Sequence, residues 1–381
     1  MAALASRIAV GYFSCMRVTA LPAFSSKEFN PYNWLLYTNV QAAGQRVIEF
    51  SWRHVIKLQV PDVFHVHWPE WYALAPGWQW RKCVDFVLFH LYVRLIRMCG
   101  GKVVWTAHNA FAHDKAQTGL NIFLWRTFLA SVDGIIYLSW ASKRQIEGSY
   151  PVLAHKKSTV IQHGDYVDWI AEAHAAPPRD LPSRESLGIP AGAQVILAFG
   201  RIRPYKGIDL LIEEFRRLGR DDTHLVVAGR VPNAELEQRI LELAGSAPNI
   251  HCILRRTEDD ELVKLLELSD LVVLPYRQIT NSGTALLALS AHRAILGPRM
   301  GSLPEVQQLV GQDWVRLYDG ALSRSHLLEA IQWAAAPRRP LSMQPFAWPD
   351  IARQTLGFYK SLNPCARNLT RTGIAAHNRK I

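Results

Sequence analysis

Phe199-Gly200-Arg201-Ile202-Arg203-Pro204-Tyr205-Lys206-Gly207 closes an apolar run over residues 195–199 and leads directly into Gly207-Ile208-Asp209-Leu210-Leu211-Ile212. That order is buried strand, tight turn, amphipathic helix. Gly200 permits the turn, and a helix start presents unpaired N–H groups and partial positive charge, which favour an anion. Arg201 adds a bidentate fork and Lys206 a point charge, so the stretch reads as a diphosphate grip. Downstream, Pro275-Tyr276-Arg277-Gln278-Ile279-Thr280-Asn281-Ser282-Gly283-Thr284 follows an apolar run over 271–274 and precedes a helix expected over 285–291. It offers a second helix N-terminus with small side chains. Asn281, Ser282, Gly283 and Thr284 can hold phosphate or sugar hydroxyls there, or can merely cap the helix.

Working outward, the chain alternates strands and helices. Residues 7–12, 44–50, 62–67, 102–106, 134–138 and 158–161 read as strands, with a helix over 31–43. Residues 195–199, 224–228, 250–254 and 271–274 form a second set beyond a Pro/Ala-rich break at 171–182. Apolar strands separated by helical segments imply parallel β-α-β units. The expected fold is therefore α/β with two doubly wound, Rossmann-like domains facing a cleft. Residues 1–175 form the first domain and 176–345 the second; a helix at 346–362 returns to the first, and a basic tail occupies 363–381. In open sheets of this kind ligands bind beyond the carboxyl ends of strands, which puts the site in the cleft.

With 381 residues and 49% hydrophobic content, the chain can bury two large cores. The net charge of +11 admits a nucleic acid, an anionic membrane surface or a polyanionic small substrate. Zinc-ligand pairs, aromatic RNA-stacking signatures and basic heptads are missing, which argues against nucleic acid. Cys15, Cys83, Cys99, Cys252 and Cys365 are odd in number and lack CxxC spacing, pointing to a reducing compartment rather than a disulfide framework. The run Ile8-Ala9-Val10-Gly11-Tyr12 after Arg7 is too short and strand-like for a signal peptide, and no window holds 18 uncharged apolar residues. A cytoplasmic protein is expected.

Three polar clusters follow expected strands of the first domain: His67-Trp68-Pro69-Glu70; Thr106-Ala107-His108-Asn109 with His113-Asp114; and His163-Gly164-Asp165-Tyr166. One histidine at a strand end is usually a hydrogen-bonded structural residue. Three clusters on one edge favour a site, with His108, Glu70 and Asp114 as candidates for chemistry and His67 and His163 lining the cleft. His65 alternates to the side of its strand opposite Val66 and reads as structural. No HxxxH or paired-carboxylate spacing supports a metal. The stretch from Gly77-Trp78-Gln79-Trp80-Arg81-Lys82-Cys83 to Leu95-Ile96-Arg97-Met98 suits a bilayer interface, or equally a helix packed on its own sheet.

Taken together, these residues resemble a known family. The second half is similar to the donor domain of GT-B glycosyltransferases, in which a G-R-x-x-x-x-K-G segment grips a nucleotide diphosphate. Nearly the whole chain resembles the GDP-mannose-dependent β-mannosyltransferases of xanthan-like exopolysaccharide assembly. The motifs quoted above carry this likeness, with Leu274-Pro275-Tyr276 and Leu286-Leu287-Ala288-Leu289-Ser290. Retaining enzymes with a similar donor domain carry two glutamates eight positions apart; the aligned residues here are Ile279 and Leu287.

The resemblance implies an inverting enzyme that forms a β-linkage from GDP-mannose. Its acceptor would be a polyprenyl-diphosphate-linked oligosaccharide met at the inner face of the plasma membrane. Such transfer needs a base, expected in the order Asp114, Glu70, His108, with positioning of the donor sugar as the other role for His108. Arg201, Lys206 and helix amides would stabilise the leaving group without a metal. Tyr276 would help form the donor pocket, and Glu305 would accept from ribose or sugar hydroxyls. The sequence also accommodates a UDP-sugar donor, or a non-catalytic nucleotide-sugar-binding regulator.

Overall fold

The structure is a computed structural model that describes residues 15–69, 79–108, 119–177 and 179–362. The strand expected at 7–12 lies outside these residues, as does the basic tail. The first described strand is β1, Arg17–Leu21. After it come α1 (Tyr32–Ala42), β2 (Arg46–Glu49), α2 (Trp52–Ile56), β3 (Val63–Val66), α3 (Gln79–Met98), β4 (Lys102–Ala107), α4 (Gly119–Ser131), β5 (Gly134–Tyr137), α5 (Trp140–Ser149), β6 (Lys157–Val160) and α6 (Val167–His174). The strands form one parallel sheet in the order β2-β1-β3-β4-β5-β6.

Helices cover both faces of this sheet, so its strands need apolar side chains on both sides. Val63, Val104 and Ile136 pack with Leu35 and Leu36 of α1 on one face. Their neighbours Phe64, Val103, Trp105 and Ile135 pack with Tyr92 and Val93 of α3 and Trp125 and Phe128 of α4 on the other.

The second sheet holds β7 (Gln194–Phe199), β8 (Thr223–Ala228), β9 (Ile250–Ile253), β10 (Leu271–Val273), β11 (Ala294–Pro298) and β12 (Val315–Tyr318). Between them lie α7 (Ile208–Arg216), α8 (Ala234–Ala244), α9 (Asp259–Leu268), α10 (Gly283–Ser290) and α11 (Leu303–Val310), and α12 (Arg324–Ala334) follows β12. The parallel order is β12-β11-β10-β7-β8-β9, which reverses direction between β7 and β10. Sequence patterning did not single out β11 and β12, nor β1 of the first sheet. β11 ends in Gly297-Pro298 and β12 is a four-residue edge strand carrying Arg316, both departures from a plain apolar run. The Pro/Ala-rich break also begins later than expected, because residues 171–174 complete α6.

The chain then returns to the first sheet through α13, Trp348–Leu362. Ile351, Ala352, Leu356 and Tyr359 of α13 join the α1 face, and the same apolar cluster continues through Trp169 into Leu266, Ala285 and Leu289 of the second half. At the crossing, Trp348 Nε1 donates to the Asp165 carbonyl at 2.7 Å. A Cβ on Gly164 would sit 2.3 Å from the Trp348 ring. Only glycine fits beneath that indole.

Candidate active site

The reversal between β7 and β10 is a topological switch point, where an open sheet leaves a crevice at its carboxyl edge. The 199–207 and 275–284 stretches meet there. Gly207 has φ +64°, and a Cβ on it would fall 2.2 Å from the Pro275 carbonyl oxygen, so glycine lets the two loops touch. Arg277 holds them together: its backbone N–H donates to the Tyr205 carbonyl at 2.8 Å, and its guanidinium reaches the Pro204 carbonyl at 2.9 Å and Asp209 of α7 at 2.8 Å.

Lys206 lies 5.5 Å from the Tyr276 ring centroid, and its Nζ would stand 3.2 Å from a Cβ on Gly200, on the side of Thr284. An open pocket of about 480 Å³ is lined by Lys206, Tyr276 and residues 278–284. Arg201 faces an adjoining pocket of about 560 Å³ with Arg203 and Arg230. The structure thus divides the expected grip into a lysine side and an arginine side. Arg203 and Arg230 were not singled out in the sequence. The signal was available, since Gly229-Arg230 follows β8 as Gly200-Arg201 follows β7.

Three residues read as donor contacts also make hydrogen bonds within the chain. Ser282 accepts from Ala285 N–H at 3.1 Å as the N-cap of α10, which begins at Gly283. Glu305, expected to receive ribose or sugar hydroxyls, accepts from the Trp140 and Ala141 N–H groups at 2.9 and 2.7 Å. A carboxylate at a helix N-terminus satisfies orphan donors and meets the favourable end of the dipole. Glu305 therefore joins the second domain to α5 of the first. Asn281 does the same: its Nδ2 donates to the His108 carbonyl at 3.1 Å, and its Oδ1 accepts from Ser139 at 3.0 Å. A Cβ on Gly283 would lie 2.8 Å from the Tyr166 hydroxyl and 3.5 Å from His163 Nε2, so glycine permits this close domain contact.

Across the cleft, β3 and β4 deliver the histidines. His67 Nδ1 is 3.0 Å from His108 Nε2, and Trp68 stacks on His108 with centroids 4.4 Å apart. Tyr32 meets His108 edge-on at 4.9 Å and His163 at 4.7 Å. His163 Nδ1 donates to the Gly164 carbonyl at 2.7 Å; because a carbonyl can only accept, its Nε2 carries the lone pair. His65 is fully buried, and hydroxyls of Tyr37, Tyr359 and Thr106 surround its ring nitrogens. None of these four histidines is hydrogen-bonded to a carboxylate among the described residues.

Burial without a counter-charge disfavours the imidazolium. It lowers His65 to about 3 and His163 to about 4, and takes His67 and His108 well below the ordinary value, with neighbouring histidines adding to the effect on the last two. Asp165 is pushed up to about 6 by burial, and its Oδ1 accepts from the Val167 N–H, 3.3 Å away. Among the described residues no three His, Cys, Asp or Glu side chains are grouped to hold a metal. Glu70, Asn109, His113 and Asp114 lie outside the described residues.

A switch-point crevice facing a second doubly wound domain, with cationic side chains on one wall and hydrogen-bonding rings on the other, is the architecture of a two-domain sugar-nucleotide transferase. Comparison with known proteins agrees. The family of glycosyl transferases group 1 matches residues 193–329. The GDP-mannose:glycolipid 4-beta-D-mannosyltransferase of Xanthomonas campestris pv. campestris is 30% identical over 88% of this chain and 90% of its own. The lipopolysaccharide 1,2-N-acetylglucosaminetransferase of Salmonella typhimurium is 26% identical over 58% of this chain and 56% of its own. Sucrose-phosphate synthase from Thermosynechococcus elongatus shares the fold, with TM-score 0.63 and 14% identity over 91% of this chain and 99% of that one. The chain belongs to the group 1 glycosyltransferases of the GT-B fold and is an enzyme of that class.

The neutral histidines make a prediction about stability. In the unfolded chain a histidine binds its proton near pH 6.5, whereas His65 and His163 resist it until about 3 and 4. The histidines' contribution to stability is therefore complete above pH 6.5 and falls as the pH drops toward the folded values, opposed in part by Asp165, which gains stability as it protonates near 6. Each histidine that stays neutral at pH 5 should cost about 2 kcal/mol. Urea unfolding at pH 7.5 and 5.0 should show that loss, reduced in His163→Gln; equal stability at both values would refute the uncharged cluster.

Proposed function

We propose that this enzyme transfers mannose from GDP-mannose to a lipid-linked oligosaccharide with inversion, forming a β-mannosidic bond in bacterial exopolysaccharide assembly. The observation that carries the reading is the match, over nearly all of both chains, to a mannosyltransferase whose name specifies GDP-mannose and a glycolipid acceptor. The donor pocket supports it, because Ile279 lines that pocket and Leu287 is buried in α10, where retaining relatives would place carboxylates.

In inverting transfer the acceptor oxygen attacks the anomeric carbon from the face opposite the nucleotide. The acceptor O–H proton passes to a base, and the bond to the diphosphate breaks with its electron pair. Arg201, Lys206 and the amides at the start of α10 would receive the developing negative charge, in place of a metal. Glu70 and Asp114, directly after the β3 and β4 motifs, are the carboxylates assigned to the base. Arg201→Ala and Lys206→Ala should each lower turnover with GDP-mannose by on the order of a hundredfold. Asp114→Asn or Glu70→Gln should do the same for the base. Release of GDP measured against a panel of nucleotide sugars checks both. Wild-type turnover in the two cationic variants would remove the grip, and unchanged turnover in both carboxylate variants would remove the base assignment.

The acceptor's lipid requires a visit to a membrane surface. No helix among the described residues is long and apolar enough to cross a membrane. On α3, however, Val84, Val87, Leu88, Leu91 and Met98 are exposed, opposite the buried Phe89, Tyr92, Val93 and Ile96, and Phe123 of α4 is exposed nearby. This i, i+3, i+4, i+7 stripe is flanked by the exposed Arg94 and Arg97. With a net charge of +11, it suits a helix lying in the interface of an anionic membrane on the cytoplasmic side. Vesicles containing anionic lipid should float the protein, and Val87→Glu with Leu91→Glu should release it. Absence from vesicles of every composition would refute the peripheral association.

A further inference from the structure

A buried hydrogen-bond chain leads from the core of the first sheet to His108. Thr106 Oγ1 is 2.7 Å from His65 Nε2; His65 Nδ1 faces the hydroxyls of Tyr37 at 2.7 Å and Tyr359 at 2.6 Å. The Tyr37 hydroxyl is also 2.6 Å from His67 Nε2, and His67 Nδ1 is 3.0 Å from His108 Nε2. Thr106, His65, Tyr37, Tyr359 and His67 are all buried. Three of these elements are neighbours in the sheet or pack on it, but Tyr359 arrives from α13 at the far end of the chain.

A neutral imidazole has one N–H and one lone pair, and a hydroxyl has one proton to give. The rings along the chain therefore cannot choose their tautomers independently, because each donor needs an acceptor facing it. Fixing one end fixes the other. Thr106 is the fixed end: among the described residues the side-chain partner of its hydroxyl is His65 Nε2. Were His65 to donate to Thr106, the threonine proton would be a buried donor without an acceptor, a costly arrangement in a core. Thr106 thus donates to His65 Nε2, His65 Nδ1–H donates to the Tyr359 oxygen, and the Tyr359 proton goes to the oxygen of Tyr37, with which it is hydrogen-bonded. Tyr37 donates to His67 Nε2, and His67 Nδ1–H donates to His108 Nε2. The remaining proton of His108 then sits on Nδ1, which is hydrogen-bonded to no described residue.

We propose that this chain holds His108 as an N–H donor through Nδ1, offered to an oxygen of the bound sugar, with Tyr37 and His67 as positioning residues for the transfer. The proposal rests on reading this cleft as the transfer site. It removes His108 from the candidates for the base, since the ring nitrogen left for substrate already carries a hydrogen. His108 enters as a hydrogen-bonding group, and proton removal falls to a carboxylate. A group that changes the polarity of the chain far from the cleft would change what His108 presents to the sugar.

Side-chain nitrogen–proton correlation spectra of the full-length protein labelled in histidine, with His108 assigned by His108→Gln, read the tautomer directly in the absence of substrate. The proton on Nδ1 of His108 is expected; a proton on Nε2 overturns the proposal whatever the donor proves to be. Tyr37→Phe keeps the ring and removes the link. It should abolish the single tautomer of His108 and lower kcat about tenfold while donor KM changes less than about twofold; an unchanged tautomer or unchanged kcat contradicts the role of Tyr37. Should that variant fail to fold, His67→Asn, whose amide can still donate to His108, should retain more turnover than His67→Leu. Equal loss in the two overturns the proposal. Inactivity of wild-type enzyme with every nucleotide sugar would instead count against the transferase reading alone.

Discussion

The two sheets are joined twice, and the second crossing organises the molecule. α13 leaves the second domain, buries Trp348 against Gly164 and Asp165, and lays Ile351, Leu356 and Tyr359 on the α1 face of the first sheet. Burial of such large side chains is the main stabilising term available to a domain. Here it also determines function, because the same helix brings Tyr359 to His65 and closes the apolar cluster that runs through both domains. Without that return His65 would lose one of the two hydroxyls that face its Nδ1.

Around this frame the cleft has an electrostatic division of labour. The second domain contributes fixed positive charge and helix amides, in two adjoining pockets with Lys206 in one and Arg201, Arg203 and Arg230 in the other. The first domain contributes neutral rings, kept uncharged by burial. Glu305 and Asn281 link the two walls by hydrogen bonds to the start of α5 and to His108. Such polar contacts are individually modest.

Much of this was legible in the sequence. Two sets of apolar strands separated by a Pro/Ala-rich segment, a returning helix and the Gly200 to Gly207 motif point to two doubly wound domains, because strand burial on both faces leaves an unmistakable apolar signature. Short strands escaped: Ala294–Pro298 carries Gly and Pro, and Val315–Tyr318 lies at an edge with Arg316. Side-chain partnership was the least legible layer. Nothing in the local pattern says that Glu305 would meet helix amides 165 residues away, or that Tyr37 and Tyr359 would converge on one imidazole. Those partners are set by the packing of α1 and α13, a long-range property that spacing does not encode.

The central claim is that a GT-B cleft without the two glutamates of its retaining relatives inverts the sugar it transfers. The anomeric configuration of the product tests this most directly. With GDP-mannose and a lipid-linked oligosaccharide, the one-bond carbon–proton coupling at the new anomeric carbon should report a β-mannoside, the outcome of attack opposite the departing diphosphate. An α-mannoside would contradict the account.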